Sequence, residues 1–217
     1  MDWRVKTLGS IFEKGALYPV ITPSLCIYNP IELVKQIAGY VDIIQLRMKD
    51  ETDSEKIILA REFRKNFKGI LIIDDRADIA ILSGADGVHV GQDDLSVSDI
   101  RKIDSKLLVG VSTHNPKEIE QAINLEADYI NVGPIFPTQT KTNSYKPLGI
   151  RYLKSVSQKI TIPFSVMGGI KPDNIEQVVG SGARICAVVT AITQATDPAK
   201  TTKLLNKKIR STILPLS

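Results

Sequence analysis

Short, nearly continuous apolar runs recur along the chain, separated by longer polar segments with helical spacing. The runs cover 17–21, 41–46, 70–73, 87–90, 107–111, 129–132, 162–167 and 185–189, and most are rich in Val and Ile. A strand with one wet face alternates apolar and polar residues, whereas a parallel strand covered on both faces stays apolar throughout. The pattern therefore predicts eight parallel strands with helices between them. Helix starts are marked by Asn29-Pro30, Asn115-Pro116 and Asp197-Pro198, each an N-cap residue ahead of a proline suited to the first turn. Thr52 with Glu55 reads as a capping box, and Asn115 with Glu118 as a looser one. After Thr52, the spacing of Ile57, Ile58, Ala60 and Phe63 predicts the inner face of a helix, with Lys56, Arg61, Glu62 and Arg64 on its wet side.

Eight strands alternating with helices in about 200–250 residues predict a (β/α)8 TIM barrel. A doubly wound open sheet is the runner-up. Residues 3–14 read as an extra N-terminal helix closing the barrel floor. No composition shift divides the chain, so residues 1–217 are expected to form one TIM-barrel domain. At 217 residues and 43% hydrophobic content the chain can bury one large core. Its formal charge of +4 is well mixed, with no Lys/Arg block on one helix, which suits an anionic small molecule and argues against nucleic acid. Cys26 and Cys186 have no metal-ligand or CxxC spacing and read as core residues in a reducing compartment. No apolar run approaches the ~18 residues of a membrane span, and no apolar leader follows Met1. A cytoplasmic protein without membrane partners is expected, and a homo-oligomer is compatible with the sequence.

In such a barrel the chemistry sits at strand C-termini and in the loops after them. The second run ends in Gln45-Leu46-Arg47-Met48-Lys49. Extended backbone puts Gln45, Arg47 and Lys49 on one side, and three long donors facing the mouth call for an anionic partner. The plainer alternative leaves Arg47 and Lys49 solvated at a strand end. Asp74-Asp75 follows the third run, and Asp93-Asp94 lies in the loop after the fourth. These strands are neighbours, so Asp75 and Asp94 are candidates for the one or two carboxylates that Mg2+ takes. Taken singly, each aspartate would serve as well as a turn former. Ser112 could donate to a substrate. His114 could simply occupy a loop position, and His89, inside an apolar strand, reads as a hydrogen-bonded core residue. The two lack metal-ligand spacing, which argues against zinc. Gly168-Gly169 after the seventh run, and Thr190 after the eighth, stand where barrels often hold phosphate; Pro172 is expected to open the helix that follows. The most distinctive stretch is 128–141, DYINVGPIFPTQTK, where a strand empties into a loop bearing Thr138, Thr140 and Lys141. Two hydroxyls and an ammonium suit phosphate oxygens, although an ordinary solvated loop has the same composition.

These pieces, in this order, resemble the thiamine-phosphate synthase family. The resemblance rests on QLRMK (45–49), IDDRADIA (73–80), GVHVGQDDL (87–95), GVSTH (110–114), ADYINVGPIFPTQTK (127–141), MGGI (167–170) and AVVTAI (187–192). It implies a TIM-barrel transferase that joins a hydroxymethylpyrimidine diphosphate to a thiazole phosphate ethanol, releasing pyrophosphate. It also implies substrate contacts from Gln45, Leu46, Arg47, Met48, Lys49, Asp74, Ser112 and Lys141 to the pyrimidine diphosphate. Thr138, Thr140, Gly169, Val189 and Thr190 would bind the thiazole phosphate, with Gln139 also against substrate. Mg2+ would rest on Asp75 and Asp94, and Arg47, Lys49 and Lys141 would carry the catalytic charge. Asp74 stands where the family usually has Asn, and Thr190 where it usually has Ser. The implied reaction needs no enzyme nucleophile, because the aminopyrimidine can stabilise a carbocation that the thiazole nitrogen captures. Two rivals remain: a thiazole tautomerase of the same superfamily, with His114 as acid/base, and a non-catalytic phosphate sensor on the same scaffold. A loop spanning 139–147 is the candidate lid.

Overall fold

Each apolar run becomes a strand, within a residue or two of its expected ends. The computed structural model describes residues 3–138 and 145–213, and of residues 3–7 the backbone only. The chain opens with α1 (Trp3–Lys14), β1 (Ala16–Ile21), a 3-10 turn (Pro23–Leu25), α2 (Pro30–Ile37), β2 (Ile43–Leu46), α3 (Asp53–Asn66) and β3 (Ile70–Asp74). It continues with α4 (Ala77–Ser83), β4 (Gly87–Val90), α5 (Val97–Ile103), β5 (Leu108–Thr113), α6 (Pro116–Asn124) and β6 (Tyr129–Val132). It ends with α7 (Gly149–Ser157), β7 (Phe164–Val166), α8 (Ile175–Gly180), β8 (Ile185–Val188), α9 (Thr190–Thr193) and α10 (Pro198–Ile213). The strands pair in parallel in sequence order and β8 returns to β1, so the sheet closes into a TIM barrel. The open-sheet alternative is thereby excluded. No described helix is long and apolar enough to cross a membrane.

Alternation along each strand sorts side chains into two cores. Tyr18, Val20, Ile43, Ile70, Ile72, Leu108, Tyr129 and Ile185 fill the barrel interior together with Leu8, Ile11 and Phe12 of α1. The N-terminal helix thus plugs the floor, as expected. Leu17, Ile21, Ile44, Leu46, Leu71, Ile73, Val88 and Val109 face outward against the helices. Caps follow the sequence signals. Asn29 accepts from Ile31 N and Glu32 N, Thr52 and Glu55 form both halves of a capping box, and Asn115 accepts from Glu118 N.

Three local expectations need correction. Ile58 is 62% exposed, because α3 turns Ala60 and Phe63 inward and leaves Ile58 on the outer face. Arg64 is not on the wet side; its guanidinium folds under the barrel. The helix after β7, α8, starts at Ile175 and not at Pro172. There Asn174 accepts from Lys171 N (2.8 Å) and donates to the Gly169 carbonyl (2.9 Å), which holds residues 171–174 in a turn.

The folded-under Arg64 belongs to a repeated device at the floor. Asp86 Oδ2 accepts from Arg64 Nη1 (2.7 Å) and from Leu71 N (2.9 Å), while Arg64 also donates to the Phe67 and Gly69 carbonyls. Two strands later, Asp128 Oδ2 accepts from Arg101 Nη2 (2.6 Å) and Val109 N (2.7 Å), and Arg101 donates to the Leu107 carbonyl. In both cases an Ala-Asp pair immediately precedes a strand, and the Asp backbone N–H binds the preceding strand's carbonyl, at Leu71 or Val109.

Candidate active site

The mouth is built from what the strands extrude at their C-terminal ends. Gln45, at 2% exposure, is polar inside an apolar barrel, and its Nε2 donates to Asp74 Oδ1 at 2.5 Å. Arg47 and Lys49 follow β2, and both lie against Asp74: Arg47 Nε is 3.4 Å and Lys49 Nζ 3.2 Å from Oδ2. Lys49 also donates to Asp75 Oδ2. Arg47 Nε is buried and has no hydrogen bond, so its contact with Asp74 is an ion pair alone. That leaves a donor fixed at the mouth with spare capacity for an oxyanion. Leu46 and Met48 between them are buried in the outer core, so only their backbone is available to a ligand.

Asp75 takes a left-handed conformation at φ 60°, which Asp tolerates better than most residues. Its N–H donates to the His89 carbonyl across the β3–β4 seam (2.8 Å). Burial, then the neighbouring charge of Asp74, raises its pKa above the ordinary carboxylate range; Lys49 opposes the shift and Asp94 adds to it. Burial pulls the Lys49 ammonium down, but the charges and hydrogen bonds of Asp74 and Asp75 outweigh it and leave its pKa raised. Asp94 Oδ2 accepts from Gly91 N (2.7 Å). Asp74 and Asp75 share the Lys49 ammonium, Asp74 also faces the Arg47 guanidinium, and Asp94 adds a third negative charge beside Asp75. That donor set fits a hard divalent cation. Among the described residues no three His, Cys, Asp or Glu side chains enclose a metal by themselves.

Opposite, the β6 and β7 loops zip together: Ile135 N donates to the Met167 carbonyl (2.8 Å) and Phe136 N to the Gly168 carbonyl (3.0 Å). Gly168 (φ +103°) and Gly169 (φ +62°) make this possible, since a Cβ on Gly168 would stand 2.4 Å from Pro134 Cβ. The glycine pair therefore serves the neighbouring loop as well as any ligand. Gly133-Pro134 is a cis peptide. Val189 and Thr190 open the four-residue α9, whose first N–H groups lack helical partners by geometry.

A cavity of about 670 Å³ joins the two sides. Gln45, Arg47, Asp74, Ser112, Thr138, Gly169, Val189 and Thr190 line it, so eight expected residues are brought together. Lys49, Asp75 and Asp94 stand at its β2–β4 rim rather than in its wall. Gln139, Thr140 and Lys141 lie outside the described residues, as does most of the expected lid. The wall also contains His89, Asn131, Tyr145, Lys171 and Gln194, which the sequence reading did not assign to a site. Asn131, like His89, carried a signal, as a polar residue inside an apolar strand. His114 Nδ1 lies 2.6 Å from the Gly133 carbonyl, and its ring stacks on Tyr145 at 3.6 Å between centroids.

The family model described as thiamine monophosphate synthase matches residues 17–192, from the first strand to the last short helix. The chain belongs to the thiamine monophosphate synthase family. A thiamine-phosphate synthase of Lawsonia intracellularis is 43% identical over 171 residues, covering 76% of this chain and 78% of that protein. One from Shouchella clausii is 43% identical over 167 residues, covering 74% and 79%. Among solved structures, thiamine phosphate pyrophosphorylase from Pyrococcus furiosus superposes with a TM-score of 0.84 at 29% identity, covering 93% of this chain and 98% of that one. A 3-hexulose-6-phosphate synthase at 22% identity and a TM-score of 0.64 shares the fold alone. Membership in the thiamine monophosphate synthase family makes the chain a transferase of thiamine biosynthesis.

Proposed function

We propose that the chain condenses 4-amino-2-methyl-5-(diphosphooxymethyl)pyrimidine with thiazole phosphate ethanol to give thiamine phosphate and pyrophosphate. The observation that carries this reading is the two-ended cavity. One end has Arg47 and Asp74, with Lys49 and Asp75 paired at its rim; the other has the Gly168-Gly169 turn, Val189 and Thr190. Two phosphorylated substrates need such a pair of anion sites facing one space.

In this reading Gln45, Arg47, Lys49, Asp74 and Ser112, with backbone from Leu46 and Met48, hold the pyrimidine diphosphate. Thr138, Gly169, Val189 and Thr190 hold the thiazole phosphate. Gln139, Thr140 and Lys141 are assigned to the substrates on the family resemblance. Asp75 and Asp94 would hold Mg2+, which when bound neutralises charge on the departing pyrophosphate. The C–O bond to the diphosphate breaks with its electron pair leaving on pyrophosphate, and the aminopyrimidine delocalises the positive charge left on carbon. The thiazole nitrogen then donates its lone pair to that carbon. Arg47 and Lys49 stabilise the developing polyanion and orient it, so no side chain forms a covalent bond to substrate. The protein acts on small molecules in solution, and a cytoplasmic setting suits that role.

The test is pyrophosphate release. Release that requires both organic substrates, disappears with a chelator, returns with Mg2+ and matches thiamine phosphate formation is the expected result. Release from the pyrimidine diphosphate without thiazole phosphate and without product, or product formation that survives full chelation, would refute it.

A further inference from the structure

A chain of hydrogen bonds runs through the barrel interior to the cavity wall. Tyr18 and Tyr129 hydroxyls lie 3.0 Å apart, Tyr129 lies 3.0 Å from His89 Nδ1, and His89 Nε2 lies 2.9 Å from Ser112 Oγ. Tyr18 and Tyr129 are fully buried and His89 nearly so. The strand beside them makes room for it. A Cβ on Gly110 would fall 2.1 Å from the Tyr129 ring and 2.5 Å from His89 Nδ1. The Ser112 backbone carbonyl is fixed as well, accepting from Gln92 Nε2 at 2.6 Å.

Hydrogen counting gives the chain a direction. A neutral imidazole has one donor and one acceptor nitrogen. If Ser112 donated to Nε2, then Nδ1–H would donate to Tyr129, Tyr129 to Tyr18, and the Tyr18 hydrogen would be stranded in the apolar interior. Among the described residues the Tyr18 hydroxyl bonds only to Tyr129. Buried donors without acceptors are costly and rare. In the opposite direction Tyr18 donates to Tyr129, Tyr129 to Nδ1, and Nε2–H to Ser112 Oγ. Every hydrogen then has an acceptor except that of Ser112, which is left for the cavity. Burial, first among its causes, raises the pKa of both phenols, so both remain donors.

We propose that His89 is a positioning residue that, oriented by Tyr129 and Tyr18, occupies a lone pair of Ser112 and aims its hydroxyl hydrogen at an acceptor atom of the pyrimidine diphosphate. The ligand assignment rests on the function proposed above; the direction of the chain does not. His89, although part of the cavity wall, acts in this proposal through Ser112 and not on the reacting atoms.

Two measurements test it. In the 15N spectrum of the free protein at pH 8, with His89 signals assigned by their loss in His89→Gln, Nε2 is expected protonated and Nδ1 bare. A protonated Nδ1 would overturn the proposal whether or not the protein turns over. In kinetics, a Gln amide reaches the Nε2 position and an Asn amide only the Nδ1 position. His89→Gln should therefore keep near-normal turnover, and His89→Asn should lose ~10–100-fold in kcat/KM for the pyrimidine diphosphate. The KM for thiazole phosphate should not move in either. In a Ser112→Ala background, His89→Asn should add no further loss. Equal losses in the two His89 variants, or full additivity with Ser112→Ala, would overturn the positioning role. An absence of turnover by the unaltered protein would instead sink the proposed function and leave the spectrum to decide the hydrogen-bond direction.

Discussion

Asp74 stands where the family resemblance implies an Asn, and replacing it with Asn measures what the carboxylate does. Asp74 Oδ1 accepts from Gln45 (2.5 Å), and an Asn oxygen can keep that bond. What Asn removes is the charge facing Arg47 and Lys49. A diphosphate entering the site must draw both cations away from it. Lys49 is 41% exposed, so its pair with Asp74 is worth at most ~1 kcal/mol. Arg47 is more buried but lies at 3.4 Å without a hydrogen bond, and we assign it a similar ~1 kcal/mol. Removing both competitions should tighten diphosphate binding by ~1–2 kcal/mol, or ~5–30-fold. Calorimetric titration with pyrophosphate and Mg2+ reads this directly, and the KM for the pyrimidine diphosphate should fall in parallel. Binding that is unchanged or weaker in Asp74→Asn would show that Asp74 does not compete for these cations.

Other perturbations separate scaffold from site. Asp86→Ala removes the carboxylate that pairs with Arg64 and accepts from the Leu71 N–H, leaving Arg64 only the Phe67 and Gly69 carbonyls; loss of such a buried charge partner costs ~3–5 kcal/mol. At ~2–4 °C per kcal/mol for a chain of this size, calorimetry should show a melting point lower by ~6–20 °C, with turnover at 25 °C retained. Gly168→Ala should lower stability and raise the KM for thiazole phosphate, because its Cβ would overlap Pro134. Gly84→Ala is its control: its φ of +71° is also positive but nothing lies within 4 Å, so only the left-handed strain of ~1–2 kcal/mol should appear. Thr190→Val keeps the shape and removes the hydroxyl, and steady-state kinetics should show the KM for thiazole phosphate rising ~10-fold or more if that hydroxyl binds the phosphate.

The strands were legible because a two-sided cover forces an apolar run, and the helix starts because Asn29, Thr52 and Asn115 carry cap chemistry in their own side chains. Ile58 was misread because hydrophobicity alone does not choose between adjacent positions on a helix when both are isoleucine. The helix expected at Pro172 begins later because Asn174 satisfies a turn through Gly169, a pairing that needs the folded loop to exist. Of the site, Gln45, Arg47, Asp74 and Ser112 could be read from strand-end position. Leu46 and Met48, expected as substrate contacts on the resemblance, put their side chains in the outer core, since the same residue run supplies both wall and core. His89 was legible as a hydrogen-bonded core residue, but its partners Tyr129 and Ser112 come from 40 and 23 positions away in the chain, and Tyr18 joins through Tyr129 from 111 positions away. Their meeting is a property of barrel closure, not of local sequence.

The paired Arg–Asp clamps beneath the barrel have a consequence for how such a protein changes over time. Arg64 with Asp86 and Arg101 with Asp128 each staple one strand-helix-strand unit at the end remote from the cavity. The two copies, each introduced by Ala-Asp and with Arg and Asp 22 and 27 positions apart, divide this part of the chain into separately locked tiles. A tile whose register is locked from below can accept new loops above without renegotiating its place in the ring. Loop grafts between relatives should therefore succeed when cut points fall on the mouth side of these clamps, and fail when they split an arginine from its aspartate.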